Sequence, residues 1–507
     1  MLSIFDQGRA PACPEPFNLA SYVLQQAKAR ADYPALLIPS LEGLTSWSYA
    51  EVERAVRGLA TGLLETGFKP GDILLMRLGN TVDFPLVFLA AIAVGIVPVP
   101  TSSQLTRPEV ERIIAELNPA GIVRDPSVAS GAHPREILQQ DLKALQACPP
   151  ADYLLSAPDQ MAYIVYTSGT GGTPRAVAHA HRAIWARRMM IRDWYDLGPK
   201  DRLLHAGAFN WTFTLGTGLM DPLSVGATAI IPAPDVPLDQ LPRVMAETKA
   251  TIFAAVPGVY RKILKADHLP DLPHLRHGLC AGEKLSAEVQ QGWQARTSTQ
   301  LFEAFGMSEC STFISSAPHR PSEAGALGMP QEGRRIAILA EDGPAPLEQP
   351  GIIAVHRSDP GLMLGYLHAP EATQSRFQGD WFLTGDRGVM HENGQITYLG
   401  RNDDMMNAGG FRVSPMEVEK AFASLDGIKE FAASEVEVKP GVSIIVGFFT
   451  GREDVTEVDL QAFADRELAE YKRPKAYLRL AEFPTNPNGK LLRRALPQLF
   501  QPTERKD

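Results

Sequence analysis

Residues 166–181, Tyr-Thr-Ser-Gly-Thr-Gly-Gly-Thr-Pro-Arg-Ala-Val-Ala-His-Ala-His, concentrate hydroxyls and glycines as an anion-gripping loop would. Thr167, Ser168, Thr170 and Thr173 supply hydroxyl donors, while Gly169, Gly171 and Gly172 let successive backbone N–H groups converge on a phosphate. The loop lacks the Gly-Lys-Ser/Thr ending with which a Walker loop holds magnesium nucleotide, and Arg175 is its cation. A lysine in a glycine turn occurs far downstream, Lys490 after Asn488-Gly489. Carboxylates stand in two further short motifs, Glu309 in the segment from Ala304 to Cys310 (AFGMSEC) and Asp386 in Leu383-Thr384-Gly385-Asp386. Taken singly these are ordinary features: a solvated turn lysine, a carboxylate at a helix start, a turn aspartate.

The elements that must position them follow from periodicity. From Phe17 to about Ala120, amphipathic stretches such as LASYVLQQAKARA and SYAEVERAVRGLATGLLETG alternate with apolar runs such as DILLMRL, a βα pattern that implies a largely parallel sheet flanked by helices. The apolar run from Phe84 to Pro100 is too short to span a membrane, and proline closes it, so it reads as a buried helix leading into a core strand. The glycine-rich loop is expected between a strand and a helix-compatible stretch. Between Gly325 and Gly400 short runs split by turn residues read as antiparallel strands. Beyond about Asp403, Ser414, Pro415 and Glu417 form a capping-box pattern that starts a helix at Pro415, and a strand, helix and strand follow. The predicted fold class is α/β: a large N-terminal domain, 1–402, of parallel or mixed sheets flanked by helices plus a small antiparallel β subdomain, and a small mobile C-terminal α+β domain, 403–507.

Together and in this order, the motifs resemble those of the adenylate-forming superfamily of acyl-CoA synthetases, peptide-synthetase adenylation domains and luciferases. The loop is similar to that family's pyrophosphate grip, with Gly171, Arg175 and Ala176 where threonine, lysine and glycine are usual. The resemblance implies ATP as substrate, Mg²⁺ on Glu309, Phe305 beside adenine within Ala304-Phe305-Gly306, and Ser308 meeting the α-phosphate. It implies Asp386 on the ribose, Arg401 on ribose or phosphate, Asp403 as the hinge of the small domain, and Lys490 as the catalytic lysine on that domain. Asn407 stands where lysine is common, and Asn486 where threonine is. The segments Trp211 to Pro232 and Leu279 to Val289 look most like the benzoate-CoA ligase and medium-chain acyl-CoA synthetase group. By that likeness Ala281, Gly282 and Glu283 line the adenine and carboxylate end, and Trp211 or Phe213 closes the acyl pocket, with Cys280 and Met307 as further apolar candidates. Coenzyme A is the implied acceptor, with Lys472, Arg473, Lys475 and Arg412 as candidate phosphate contacts and the Ala408-Gly409-Gly410 turn as the passage for its pantetheine arm.

The sequence supplies no charged residue for the acyl pocket, so a small apolar or aromatic monocarboxylic acid is the expected substrate. Two alternatives remain: loading of an acid onto a carrier protein, and a non-catalytic nucleotide-binding relative. A homodimer is the assembly common in the resembled group. The 507 residues exceed what one core organises, and the net charge of -9 argues against nucleic-acid or anionic-membrane partners. Cys13, Cys148, Cys280 and Cys310 form no C-x-x-C pair and read as free thiols of a cytoplasmic protein; His274, His277 and Cys280, without a fourth ligand, make no zinc site.

Overall fold

Six parallel strands form the centre of the largest sheet in the computed structural model, which describes residues 1–167, 175–401, 405–439, 441–484 and 491–500. In spatial order these are Gln300–Met307, His277–Ala281, Ile252–Ala255, Arg202–His205, Thr228–Ile230 and Pro34–Ser40, with antiparallel strands added at both edges. Helices on the faces include Tyr49–Glu65, whose capping box at Ser48 and Glu51 holds its first turn, and Pro257–Leu264. A second parallel sheet of four strands contains Val97–Pro100, which follows the helix Asp83–Ala93, buried from Phe84 to Ala93. The buried helix and core strand expected there are both present. The stretch LASYVLQQAKARA is helical over Leu19–Val23 alone, a shorter helix than its periodicity suggests.

The antiparallel texture between Gly325 and Gly400 is a sheet built on Arg335–Ala340, Pro350–His356, Trp381–Met390 and Ile396–Arg401. The small C-terminal part has the hairpin Met406–Ala408 and Phe411–Val413, the pair Ile428–Lys439 and Val442–Gly451, and Ala476–Arg479 parallel to the latter. Its core, with Phe422, Leu460 and Phe463, is separate from those of the large part. Among the described residues no helix is long and apolar enough to cross a membrane.

Two local expectations are corrected. The stretch after the glycine-rich loop is not helical at first: Met161–Thr167 pairs antiparallel with Arg175–Ala180, and a short helix begins only at Arg182. The alternation of Ala176, Val177, Ala178 and His179 puts successive side chains on opposite faces, which suits a strand. A strand, not a helix N-terminus, therefore follows the glycine-rich segment. At the second site, the helix Pro415–Phe422 starts where predicted, with Ser414 as N-cap, but no capping box forms. Glu417 turns instead to Lys472, and the Ser414 hydroxyl is buried without a partner among the described residues.

Candidate active site

Several strands end at one cavity of about 570 Å³. The strand Gln300–Met307 and the turn after it bring Ala304, Phe305, Gly306, Met307, Ser308 and Glu309 to its wall, and His277–Ala281 brings Ala281 with Gly282 and Glu283 beyond its end. Ligands gathering at the carboxyl ends of parallel strands are the usual outcome in open α/β sheets. Thr167 and Arg175 flank the glycine-rich loop, and both line the cavity. Ser168, Gly169, Thr170, Gly171, Gly172 and Thr173, the hinge candidate Asp403, and Lys490 lie outside the described residues, as does the side chain of Arg401.

Asp386, expected on the nucleotide, is buried in the strand Trp381–Met390 rather than in a turn. It accepts hydrogen bonds from Tyr398 Oη at 3.2 Å and from Arg412 at 3.1 Å. Phe305 packs between Phe313 and Tyr398 and supplies an aromatic wall beside that carboxylate. Glu309 accepts from Tyr366 Oη at 2.9 Å, and burial together with that carboxylate pushes the Tyr366 phenol well above its usual range. Arg175 lies over the Tyr366 ring, 5.9 Å from its centre. Among the described residues no cluster of three or more His, Cys, Asp or Glu can hold a metal. Among the described residues no donor reaches Glu309 Oε2, and a carboxylate oxygen so placed fits magnesium carried in by a polyphosphate.

The other end is apolar with a polar floor. Trp211, Phe213, Ala281 and Met307, the acyl-pocket candidates, all line the cavity, and Phe213 also stacks on Trp194 in the core. Cys280 does not belong to the lining: it is one residue from Ala281 on the strand, so its side chain enters the cluster on the opposite face. The wall is not free of charge either. Arg187, 6% exposed, lines the cavity, with its Nε and Nη2 on Asp221 at 2.8 and 2.7 Å. Glu303, at the wall near Glu283, accepts from Leu285 N, and burial raises its carboxyl to about 7.

The small domain closes the mouth. Gly410 N donates to Glu283 at 2.7 Å, and Phe411 is sandwiched between Trp211 and Tyr471. Gly410 has φ +85°, and a Cβ there would stand 2.7 Å from Val256, so this close approach requires glycine. Lys472 is not available to a phosphate: it is 5% exposed, with Nζ 2.7 Å from both Glu109 and Glu417. Those glutamates sit in the first turns of the helices Arg107–Leu117 and Pro415–Phe422, one on each side of the domain boundary. Burial opposes the ammonium, but Tyr471, Glu417 and Glu109 outweigh it and hold the lysine above its usual range. Arg473 is committed to Asp465 and the carbonyl of Leu468, and Lys475 is exposed outside the cavity lining. Sequence reasoning missed Arg187 and the Glu109–Lys472–Glu417 triad.

Two family models match the chain, the AMP-binding enzyme over residues 23–367 and the AMP-binding enzyme C-terminal domain over residues 417–490. The chain is 28% identical to the benzoate–CoA ligase of Thauera aromatica, over 88% of this chain and 90% of that one. It is equally 28% identical to an uncharacterised acyl–CoA ligase of Bacillus subtilis, over 95% of each. Among solved structures, a benzoate CoA ligase from Burkholderia xenovorans matches with a TM-score of 0.70 at 26% identity, over 95% of this chain and all of that one. With both domains matched and the motif carboxylates gathered on one cavity, the chain belongs to the AMP-binding enzymes of the adenylate-forming superfamily.

Proposed function

We propose that the chain is an ATP-dependent acid–CoA ligase acting on a small apolar or aromatic monocarboxylic acid. The observation that carries this reading is that one cavity is lined both by Glu309, Arg175 and Asp386 and by Trp211, Phe213, Ala281 and Met307. In the first step a carboxylate oxygen attacks the α-phosphorus of ATP and pyrophosphate leaves. In the second the sulfur of CoA attacks the acyl carbon and AMP leaves, with the thiol proton passing to solvent. Magnesium, when bound with ATP, would neutralise the leaving pyrophosphate, and Glu309 is the residue that would hold it. Asp386 and Phe305 orient the nucleoside. Lys490 supplies the ammonium that bridges two anions as they approach, a contribution worth most in a site closed to water.

Arg187 does not ask for a second carboxylate, because Asp221 already balances its charge. For the acceptor, the docked hairpin of residues 406–413 is the thiol-receiving arrangement, supported by the Gly409-Gly410 turn at the cavity mouth. The 1–402 and 403–507 division with a hinge at Asp403 belongs to the same proposal.

The test is pyrophosphate exchange with a panel of carboxylic acids, followed by AMP release with and without CoA. CoA-dependent AMP release is expected, and release indifferent to CoA would point to another acceptor. Lys490→Ala should abolish exchange while leaving thioester formation from added acyl-AMP largely intact. Equal loss of both half-reactions would remove Lys490 from its assigned role.

A further inference from the structure

Several residues that line the cavity are nearly inaccessible and polar. His179 is 3% exposed, and its ring stacks on Tyr163 at 4.9 Å. Its Nε2 donates to the carbonyl of Ser308 at 2.8 Å, which fixes the tautomer: Nε2 carries the hydrogen and Nδ1 a lone pair. That Nδ1 is buried and has no partner among the described residues. Burial pushes the imidazole down to about 4, so at neutral pH the ring stays an acceptor. A buried acceptor without a donor is costly, and a ligand bringing a donor would relieve that cost.

Arg187 stands on the same wall. Nε and Nη2 are taken up by Asp221, with Tyr195 and Thr217 around Nη2, and Nη1 donates to the hydroxyl of Ser311. Nη1 carries two hydrogens, and Ser311 takes one of them. The second has no acceptor among the described residues. Ser311 and Thr312 also line the cavity, and Leu215, Met220 and Leu327 supply the apolar surroundings. The ion pair with Asp221 leaves the floor electrically balanced, so the group it suits is neutral.

We infer that these buried lining groups form a subsite for a neutral hydroxyl or amino substituent on a ring-bearing acid, with His179 Nδ1 accepting its hydrogen and Arg187 Nη1 and Ser311 hydrogen-bonding its heteroatom. The inference rests on the acid–CoA ligase reading above and names the substrate class within it. A phenolic hydroxyl satisfies both sides at once, donating to His179 and accepting from Arg187. A neutral arylamine satisfies His179, and a methyl group of the same size satisfies neither. A second carboxylate would bring a net charge that the Arg187–Asp221 pair does not balance, and would need a proton to serve His179.

The experiment compares pyrophosphate exchange for benzoate and its three hydroxy, three amino and three methyl positional isomers, in the wild type and in His179→Phe and Ser311→Ala. Phenylalanine keeps the stack on Tyr163 but removes the acceptor. Because it also releases the carbonyl of Ser308, Ser311→Ala serves as the gentler second variant. In the wild type, one hydroxy isomer should exceed the methyl isomer of the same position by at least about 30-fold in kcat/KM. That ratio should fall below about 3 in His179→Phe and drop several-fold in Ser311→Ala. A methyl or unsubstituted acid equal to the best hydroxy isomer would overturn the subsite and leave the ligase reading standing. If no acid of any kind supports exchange, the ligase reading falls. Calorimetric titration of the same acids into the intact chain then decides the subsite separately, tighter binding of hydroxy over methyl supporting it and equal binding overturning it.

Discussion

Replacing Lys472 with methionine tests how the small domain is held in its docked position. The lysine bridges Glu109 and Glu417 at 2.7 Å on each side, and all three side chains are at most 6% exposed. Methionine fills a similar volume but leaves two buried carboxylates facing each other across the domain boundary. Removing one member of a buried ionic cluster costs about 3–5 kcal/mol. One of the two glutamates can take up a proton, which limits the cost to the lower end, about 3 kcal/mol, or about 100-fold in the docking equilibrium. With the docked hairpin as the thiol-receiving arrangement, thioester formation from added acyl-AMP should fall by up to about 100-fold in kcat, while pyrophosphate exchange changes by less than about 3-fold. The KM for CoA separates this from a phosphate contact, whose loss would raise KM and spare kcat. The triple variant Glu109→Gln, Lys472→Met, Glu417→Gln leaves no unbalanced charge and should recover most of the thioester rate, because neutral replacement of a buried ionic cluster is often tolerated. Equal loss of both half-reactions in Lys472→Met, or loss of neither, would refute the docking role.

Further outcomes follow from other contacts. Gly410→Ala places a Cβ 2.7 Å from Val256 in a left-handed conformation, so thioester formation should fall about 10-fold and adenylation stay within about 3-fold, measured in the same split assay. Arg334→Met strands Asp359, to which Arg334 donates at 2.6 Å with both side chains at 0% exposure; denaturant titration should show about 3–5 kcal/mol of lost stability. Four buried histidines are held below their ordinary range by burial, His179, His181 and His277 to about 4 and His205 to about 3. Their depressed values contribute stability that is present above pH ~6.5 and is lost as pH falls toward 4, because the unfolded chain takes up protons that the folded chain refuses. Near pH 5.5 the four together should give a slope of about 5 kcal/mol per pH unit, and a flat denaturation midpoint between pH 7 and 5 would contradict it.

What the sequence disclosed was what short spacing can carry. Phe305, Ser308, Glu309 and Asp386 stand in local motifs, each on or just after a strand that delivers it to the cavity. Cys280 against Ala281 turned on strand parity, which a sequence settles only once it is known which face looks into the cavity. The residues that were missed derive their character from distant partners. Arg187 sits in a run of basic residues that reads as a solvated face, and its partners Asp221 and Ser311 are 34 and 124 positions away. Lys472 in Tyr471-Lys472-Arg473-Pro474-Lys475 looks like a basic turn, and only Glu109, 363 positions earlier, shows it to be buried. The failed capping box at Ser414 has the same origin, since a local motif lost its glutamate to a tertiary partner.

These long-range contacts share a direction. Three acidic groups of the large domain, Glu109, Glu283 and Asp386, are each met by a donor of the small domain: Lys472, Gly410 N and Arg412. Docking is therefore achieved largely by compensating carboxylates that the cavity already contains, and two of those three, Glu109 and Asp386, are buried. Buried pairs are screened little by salt, so the docked arrangement should respond little to ionic strength. Asp386 is the residue where this matters most. On the proposed reading, a ribose that engages its carboxylate meets Arg412 on the same group, so one side chain would read both nucleotide binding and small-domain position. Linkage then requires reciprocity: by whatever factor docking changes the affinity for the nucleotide, the nucleotide changes the docking equilibrium by the same factor.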